Sequence, residues 1–314
     1  MSLIVLCLFS CSTQELTQRE SLEWVEIAHN GDLLSIRWVQ SNTGLLKNQA
    51  HIRLNYFKPE QNAIEYLFHA PESEQIWSEE KLQVGSHSLL SEADQWKMNI
   101  HDDDFNLRIE TDPQLASRCQ FQSEAWSVEV LSLHSRDQGW LQSQKRSISL
   151  QGESLLIKHK GHKKDESPHR WLLVQSSSLQ IFYEDWGDFQ YGCMKKDGQL
   201  ITLSAENIFW MEHGVQLKTK DATFNILWRK NLGIEDPYQH LLWLERIAAD
   251  SVYPLDPIHW IQGYAQEEAS SHFYPVIFRY QGNSPPEIKQ RKTKPTFPNS
   301  KKSDNFPSST TQDD

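Results

Sequence analysis

The sequence has few of the features that mark nucleic-acid-binding, phosphate-binding or metal-dependent proteins. Its 314 residues include 42 acidic and 31 basic side chains, and the net charge of −11 is spread along the chain. Nucleic-acid binding is not expected, because it requires a basic face that displaces counterions from phosphate. The sequence has no glycine-rich phosphate loop, no GxSxG elbow and no HExxH pair. With four cysteines and no CxxC pair, a cysteine-based zinc site is excluded. We predict neither metal nor cofactor.

Long apolar runs are also missing, since none reaches the roughly 20 residues that cross a bilayer as a helix. The first eleven residues are apolar and end in Leu8-Phe9-Ser10-Cys11, which resembles a bacterial lipobox. Residues 1–10 are therefore predicted to be a lipoprotein signal peptide, although no basic residue precedes the run. Cys11 would be lipidated, residues 11–20 would form a tether, and the protein would sit on a membrane of the bacterial cell envelope. The alternative is an ordinary N-terminal strand.

Two cysteines remain in the body of the chain, Cys119 and Cys193. In an oxidising compartment they could form one disulfide, and two buried thiols are the alternative.

What the sequence does contain is an alternation of apolar and polar residues between positions 32 and 280. Trp96, Met98 and Ile100 alternate, and after an acidic turn so do Phe105, Leu107 and Ile109. This is a hairpin pattern. Similar stretches recur between turn dipeptides such as Asp197-Gly198, at the spacing of a barrel or sandwich. The fold class predicted is all-β, with 12 Trp, 13 Phe and 9 Tyr to supply the core.

Two segments depart from this pattern. Asp236-Pro237 has the capping chemistry of one short helix, although the residues that follow could also form a strand. Residues 283–314 are rich in Pro, Ser, Lys and Asn and are predicted to be a disordered basic tail.

Several motifs resemble the duplicated lipocalin-like family that includes carotenoid 1,2-hydratases, AttH-like proteins and yeast survival-factor-like proteins. The hairpin after Val84-Gly85-Ser86-His87 is similar to that family's substrate-facing strands. The element 183–189, Tyr-Glu-Asp-Trp-Gly-Asp-Phe, is similar to its acidic residue–Trp–Gly element. Glu23-Trp24-Val25 and Glu184-Asp185-Trp186 stand where longer family signatures occur. The resemblance implies two antiparallel barrels in tandem, at residues 21–145 and 146–282, each wide enough for one small ligand.

Candidate site residues follow from this expected architecture. In a small barrel the core-facing row is also the ligand-facing row. The residues expected to line a ligand are Trp38, Tyr56, Trp96, Trp186 and Trp228. Asp185 is the candidate general acid, because a carboxylate beside an indole has its pKa raised and the carotenoid hydratases protonate an alkene. The alternative is that Asp185 and the neighbouring carboxylates cap turns at a strand end or pair with Lys195 and Lys196.

Two further polar clusters have competing interpretations. The residues His159, His162, Asp165 and His169 have helical spacing for zinc, but Gly161 and Pro168 favour a hydrated loop. The run Asp102 to Asp104 suggests calcium, yet without EF-hand spacing a hairpin turn is favoured.

Three functions remain open on the sequence alone. The first is an envelope lipoprotein that holds an apolar small molecule, such as a lipid or isoprenoid, in a barrel cavity. The second is a hydratase or isomerase of an apolar substrate that uses Asp185 as acid. The third is a structural or interaction lipoprotein with filled barrels and no ligand. The expected partners are an apolar ligand and, through the lipid, a membrane.

Overall fold

The computed structural model describes twelve stretches of the chain, and every structural statement below refers to them. They are residues 18–41, 49–59, 61, 63–92, 95–112, 119–123, 126–143, 146–162, 170–187, 189–236, 257–268 and 270–281. Within them the chain forms antiparallel strands and two short 3₁₀ turns, Glu72–Glu74 and Ala205–Asn207. The prediction of an all-β fold with two barrels is confirmed. The predicted helix after Asp236 and the basic tail lie outside the described residues, as do residues 1–17.

The first sheet has twelve strands. They are β1 (Gln18–Ala28), β2 (Leu33–Ser41), β3 (Gln49–Phe57), β4 (Ile64–Pro71), β5 (Gln75–Trp77), β6 (Lys81–Val84), β7 (His87–Glu92), β8 (Gln95–His101), β9 (Phe105–Thr111), β10 (Cys119–Gln122), β11 (Trp126–Ser143) and β12 (Arg146–His162). The order is β4-β3-β2-β1-β12-β11-β9-β8-β7-β6-β5, and β10 pairs with β11 at one side. The first strand pairs with the last in the middle of this sheet, while β4 and β5 form its two edges.

The second sheet has nine strands. They are β13 (Arg170–Gln175), β14 (Leu179–Asp185), β15 (Gln190–Lys196), β16 (Gln199–Leu203), β17 (Ile208–Met211), β18 (Gly214–Lys218), β19 (Thr223–Glu235), β20 (Ile258–Glu267) and β21 (Phe273–Gln281). The order is β16-β15-β14-β13-β21-β20-β19-β18-β17. The first and last strands of this sheet in chain order, β13 and β21, are neighbours in its middle. Its two edges are β16 and β17.

The predicted join near residue 145 differs from the structure. Arg146–His162, which was placed at the start of the second barrel, belongs to the first sheet, where it pairs with β11 from Arg146 to Gly161 and with β1 from Gly152 to His162. The chain passes to the second sheet only after His162, and β13 begins at Arg170. Local alternation does not reveal this, because the pairing of β1 with β12 joins residues far apart in sequence.

Three apolar clusters follow from the period-two alternation of the strands. One fills the first barrel and includes Trp24, Trp38 and Ile52. A second fills the other barrel and includes Phe224 and Phe278. The third lies between the barrels, where Phe57, Leu173, Trp171 and Trp260 are among its members. The two barrels are therefore packed against each other through an apolar layer of their own.

A disulfide between Cys119 in β10 and Cys193 in β15 links the two sheets. The Cα atoms are 6.7 Å apart and the cysteines are separated by 74 residues in sequence. Both side chains are buried, in the cluster between the barrels. Of the two interpretations left open by the sequence, the structure has the disulfide.

No helix among the described residues is long and apolar enough to cross a membrane.

Candidate functional site

A network of ion pairs joins the two barrels through the apolar layer between them. Arg279 of β21 donates a hydrogen bond to Glu23 of β1 and its guanidinium lies 3.6 Å from Glu184 of β14. Glu184 in turn contacts Nε2 of His159 in β12 at 2.9 Å. The Arg279 guanidinium also stacks on an indole, 5.1 Å from the ring centroid of Trp171. Glu23 and Glu184, which belong to the two short motifs that resemble family signatures in the sequence, thus meet on one arginine.

The network continues to a third carboxylate, Glu235 of β19. Arg53 lies 3.2 Å from Glu235 and Arg37 lies 3.8 Å from it. Arg37 also contacts Glu23 at 3.3 Å, and the indole N–H of Trp260 donates to Glu235 at 3.3 Å. Three guanidinium groups therefore face three carboxylates, so the network carries nearly balanced charge.

The charge balance determines the protonation states. Burial would by itself raise the pKa of Glu23, but Arg279 and Arg37 outweigh it and hold that pKa at about 2. The pKa of Glu235 is lowered against the same opposing effect by Arg53 and Arg37. Carboxylates held ionised by buried arginines are typical of a structural ion-pair network. We interpret this network as the polar contact that fixes the two barrels relative to each other.

A second group of carboxyls inside the first barrel lacks this compensation. Glu26 of β1 has no exposed surface and Asp137 of β11 is 5% exposed. The indole N–H of Trp24 donates to Asp137 at 3.2 Å, and Ser154 of β12 also hydrogen-bonds to it. Neither oxygen of Glu26 has a hydrogen-bond partner among the described residues. We call Glu26 and Asp137 the carboxyl pair.

Burial without a neighbouring cation keeps the carboxyl pair protonated. Burial raises the pKa of Glu26 from 4.5 to about 8. Burial also raises the pKa of Asp137 well above its ordinary value, and repulsion from Glu26 adds to the effect. Two carboxyls that repel each other in an apolar interior cannot both ionise near neutral pH. The pair can therefore hold a proton at neutral pH and release it, which is the property of a general acid.

A second acidic group lies beside the carboxyl pair. The phenol of Tyr56 donates to Asp32, which also accepts a hydrogen bond from the side-chain amide of Asn30 at 2.8 Å. Burial, Asp32 and the nearby charge of Glu26 raise the pKa of Tyr56. Asn30 is exposed at the β1–β2 turn, so these groups mark the end of the barrel at which the pair lies.

Asp185, the predicted acid, lies apart from the carboxyl pair, and its carboxylate already has partners. It is the last residue of β14 and is 6% exposed. Its Oδ1 accepts the backbone N–H of Gly187 at 2.8 Å, and its Oδ2 lies 4.0 Å from Arg170. This is the geometry of the turn-capping alternative. The second barrel, not the first, contains it.

The residues predicted to line a ligand fall into three places. Trp38 and Tyr56 are buried in the core of the first barrel, and Trp96 packs against that core. Trp228 packs against the core of the second barrel. Trp186 lies in neither interior, since it packs on the cluster between the barrels, with its ring centroid 6.4 Å from that of His159. Their contact with a ligand stays a prediction.

The other polar clusters have simpler roles. His159 lies in β12 and not in the predicted loop, because the strand continues to His162. The loop residues Asp165 and His169 fall outside the described residues. Asp102 begins a hairpin turn, accepting the N–H of Asp103 and donating its own N–H to the carbonyl of Phe105 at 2.8 Å. No group of three or more metal-ligating side chains occurs among the described residues.

The carboxyl pair was not predicted from the sequence, although one of its two members carries a signal there. Glu26 follows Leu22 and Trp24 at period two, and a carboxylate on a core-facing row is a detectable signal. Asp137 gives no such signal, because register shifts in β11 after Val130 and Ser132 change which residues face the interior.

Comparison with known proteins identifies similar solved structures but no matching family or curated protein. No family model and no curated protein matches the chain. Among solved structures, an AttH protein from Nitrosomonas europaea matches with a TM-score of 0.58 and 10% identity, covering 85% of this chain and 92% of that one. CghA bound to Sch210972 matches with a TM-score of 0.59 and 7% identity, over 85% and 89%. Kievitone hydratase from Nectria haematococca matches with a TM-score of 0.50 and 10% identity, over the same shares.

At these identities the likeness shows the fold alone. The resemblance seen in the sequence motifs is confirmed at that level: the chain has the two-barrel lipocalin-like architecture of hydratase and AttH structures.

Proposed function

We propose that the chain is an enzyme of the hydratase or isomerase type, which protonates an apolar, unsaturated substrate with the carboxyl pair Glu26 and Asp137. The observation that carries this proposal is the absence of a compensating cation among the described residues around two buried carboxyls. Such an arrangement destabilises the folded protein, and groups of this kind occur preferentially at functional sites. The ion-pair network between the barrels, by contrast, is balanced and needs no catalytic explanation.

The chemistry assigned to the pair is proton transfer to a carbon–carbon double bond. The protonated carboxyl gives its proton to one alkene carbon, and the π electrons form the new C–H bond. Water then adds its oxygen to the cationic carbon and returns a proton to the carboxylate, which completes hydration. Loss of a proton from a neighbouring carbon instead would complete an isomerisation. The Trp24 N–H and Ser154 stabilise the carboxylate that forms, because both hydrogen-bond to Asp137.

The similar fold of kievitone hydratase agrees with this reaction class without requiring it. We assign a capping role to Asp185, the acid predicted from the sequence, since one of its oxygens accepts the Gly187 N–H. A carrier of an apolar molecule is the second candidate, and the aromatic lining of the second barrel favours it.

We also propose that the protein is exported. The disulfide between Cys119 and Cys193 supports this, because such bonds persist mainly in oxidising compartments. Attachment to the bacterial envelope by a lipid on Cys11 is proposed from the lipobox-like sequence alone. Labelling cells with a palmitate analogue tests it: label lost in Cys11→Ala supports the anchor, and label retained contradicts it.

Water labelled with heavy oxygen allows hydration to be assayed without knowing the substrate in advance. The purified protein would be incubated in this water with an apolar extract of the producing cells, and products would be sought by mass spectrometry. We expect a species that has gained one heavy-oxygen water, absent with Glu26→Gln and present with the control Asp185→Asn. A product that persists with both Glu26→Gln and Asp137→Asn would contradict the assignment. For an isomerase, deuterium from heavy water replaces the oxygen label.

A further inference from the structure

The second barrel has a cationic and aromatic mouth that the proposed acid catalysis in the first barrel does not use. Arg170, at the start of β13, places its guanidinium 5.1 Å from the ring centroid of Trp210. Trp210 packs on Phe278, with ring centroids 5.6 Å apart. Trp228 meets the same ring edge-on at 4.1 Å. We call Arg170, Trp210 and Trp228 the mouth cluster.

The two indole donors of the mouth cluster lack acceptors. The indole N–H groups of Trp210 and Trp228 are buried and have no hydrogen-bond partner among the described residues. Trp171 shares this lack and also has a guanidinium over its ring, but that guanidinium, Arg279, is buried and paired with Glu23. Arg170, over the ring of Trp210, is partly exposed instead. Arg170 lies 4.0 Å from Asp185, longer than a hydrogen bond of about 2.7 to 3.2 Å. An accessible guanidinium next to the unpaired indole of Trp210, with Trp228 packed on the same Phe278 ring, favours an acceptor with negative charge.

Apolar side chains lie directly below the mouth cluster. Leu172, Val215, Ile226 and Phe278 surround a cavity of about 10 Å³ that Trp228 also lines. Such a volume holds about one water molecule, so an extended tail requires the barrel wall to part. The second sheet ends at β16 on one side and at β17 on the other. Among the described residues no hydrogen-bonded ladder joins these two edge strands, and we call the boundary between them the seam.

The edges of the seam carry exposed apolar side chains. Leu200 of β16 is 46% exposed, and Phe209 and Met211 of β17 are 47% and 44% exposed. They offer an apolar path along the two strands that border the opening. Trp210 of the mouth cluster is on β17 itself, so a ligand that separates the edges meets the cluster first.

We propose that the second barrel binds an apolar carboxylic acid, with its carboxylate on Arg170 and the two indole N–H groups and its chain between β16 and β17. Asp185 faces the same guanidinium and competes with the ligand for it. The chemical class is a long-chain or isoprenoid acid, because the unpaired polar groups that the described residues place at the mouth are indole donors and the side chains lining the cavity below it are apolar. This site is separate from the carboxyl pair and does not depend on catalysis there.

The test uses cis-parinaric acid, a fluorescent fatty acid, and its uncharged methyl ester as probes of the purified full-length protein. We expect the acid to bind more tightly than the ester. Arg170→Gln should weaken the acid about tenfold, equivalent to the loss of one charged hydrogen bond, and leave the ester unchanged. Asp185→Asn should tighten the acid several-fold. The matched control is Arg229→Gln, which removes an exposed arginine that stacks on Tyr264 in the same barrel and should leave both probes unaffected.

Two results would overturn the proposal. One is equal binding of acid and ester by the wild-type protein, and the other is acid affinity unchanged in Arg170→Gln. Thermal unfolding and circular dichroism of each variant show whether it is folded. If Arg170→Gln is unfolded, the opposite change in Asp185→Asn decides, because a loss of acid affinity there contradicts the assigned competition.

Discussion

The guanidinium of Arg279 holds the carboxylate of Glu23 across the boundary between the two barrels, joining residues 256 positions apart. Both side chains are almost completely buried, so neither charge can be hydrated if its partner is removed. The relative position of the barrels thus depends on an ion-pair network as well as on the apolar layer around it.

Removing one member of this pair should destabilise the protein strongly. Glu23→Gln leaves Arg279 and Arg37 short of a counter-charge, and we expect a loss of about 3 to 5 kcal/mol in the free energy of unfolding at neutral pH. Urea titration followed by tryptophan fluorescence measures it. The control Glu92→Gln breaks the exposed pair with Lys97 and should change little.

The same variant has a defined pH dependence. The folded-state pKa of Glu23 is about 2 against an ordinary 4.5. Its stabilising contribution is therefore present above pH 4.5 and is lost as pH falls toward 2. The difference between wild type and Glu23→Gln should shrink over this range, and a constant difference would contradict the assigned ionisation.

The carboxyl pair should give the opposite trend. The folded-state pKa of Glu26 is raised from 4.5 to about 8, so its contribution is fully present below pH 4.5 and is lost as pH rises through 8. Glu26→Gln cannot ionise, and by pH 8 it should be more stable than wild type by roughly 4 kcal/mol. Unfolding curves at several pH values test this, and parallel pH profiles for the two proteins would show that Glu26 is ionised in the fold.

Breaking the disulfide should weaken the association of the barrels. It closes a loop of 74 residues, for which chain entropy predicts a stabilisation of about 4 kcal/mol. The variant Cys119→Ser with Cys193→Ser should melt at a lower temperature than oxidised wild type and, unlike it, should not respond to reductant. A tryptic peptide pair linked through these two cysteines would identify the bond. Wild type that is insensitive to reductant would contradict the prediction.

Asp185 should prove to be a structural residue. Asp185→Ala removes the acceptor for the Gly187 N–H and should lower the free energy of unfolding by about 1 kcal/mol. Asp185→Asn keeps that acceptor and should stay close to wild type. Catalytic turnover that is abolished by Asp185→Asn, with stability unchanged, would return this residue to the role of general acid.

The local elements of the fold were predictable, and their long-range pairing was not. Met98 and Ile100 alternate with polar neighbours, as do Leu107 and Ile109, and these four side chains are buried in the first core. Asp197 and Gly198 both have positive φ, as their turn composition suggests. Alternation gives the face of each residue but not the partner strand, so the pairing of β1 with β12 was missed.

The candidate site was less predictable than the fold. Asp185 was singled out for its neighbouring indole, yet a local motif does not show that Gly187 and Arg170 already contact the carboxylate. Glu26 and Asp137 come together only through two register shifts in β11 and a sheet that brings β1 and β11 to either side of β12. Residues that meet only through long-range strand pairing have no characteristic spacing in the sequence.

Infrared titration of the carboxyl groups tests the central claim, that the pair Glu26 and Asp137 holds a proton at neutral pH. Spectra of wild type and Glu26→Gln would be compared from about pH 5 to about pH 9, with Glu92→Gln as control. The account predicts a protonated carboxyl band at neutral pH in wild type that titrates near pH 8 and is absent in Glu26→Gln. A wild-type spectrum in which every carboxyl is ionised by about pH 6 would contradict it.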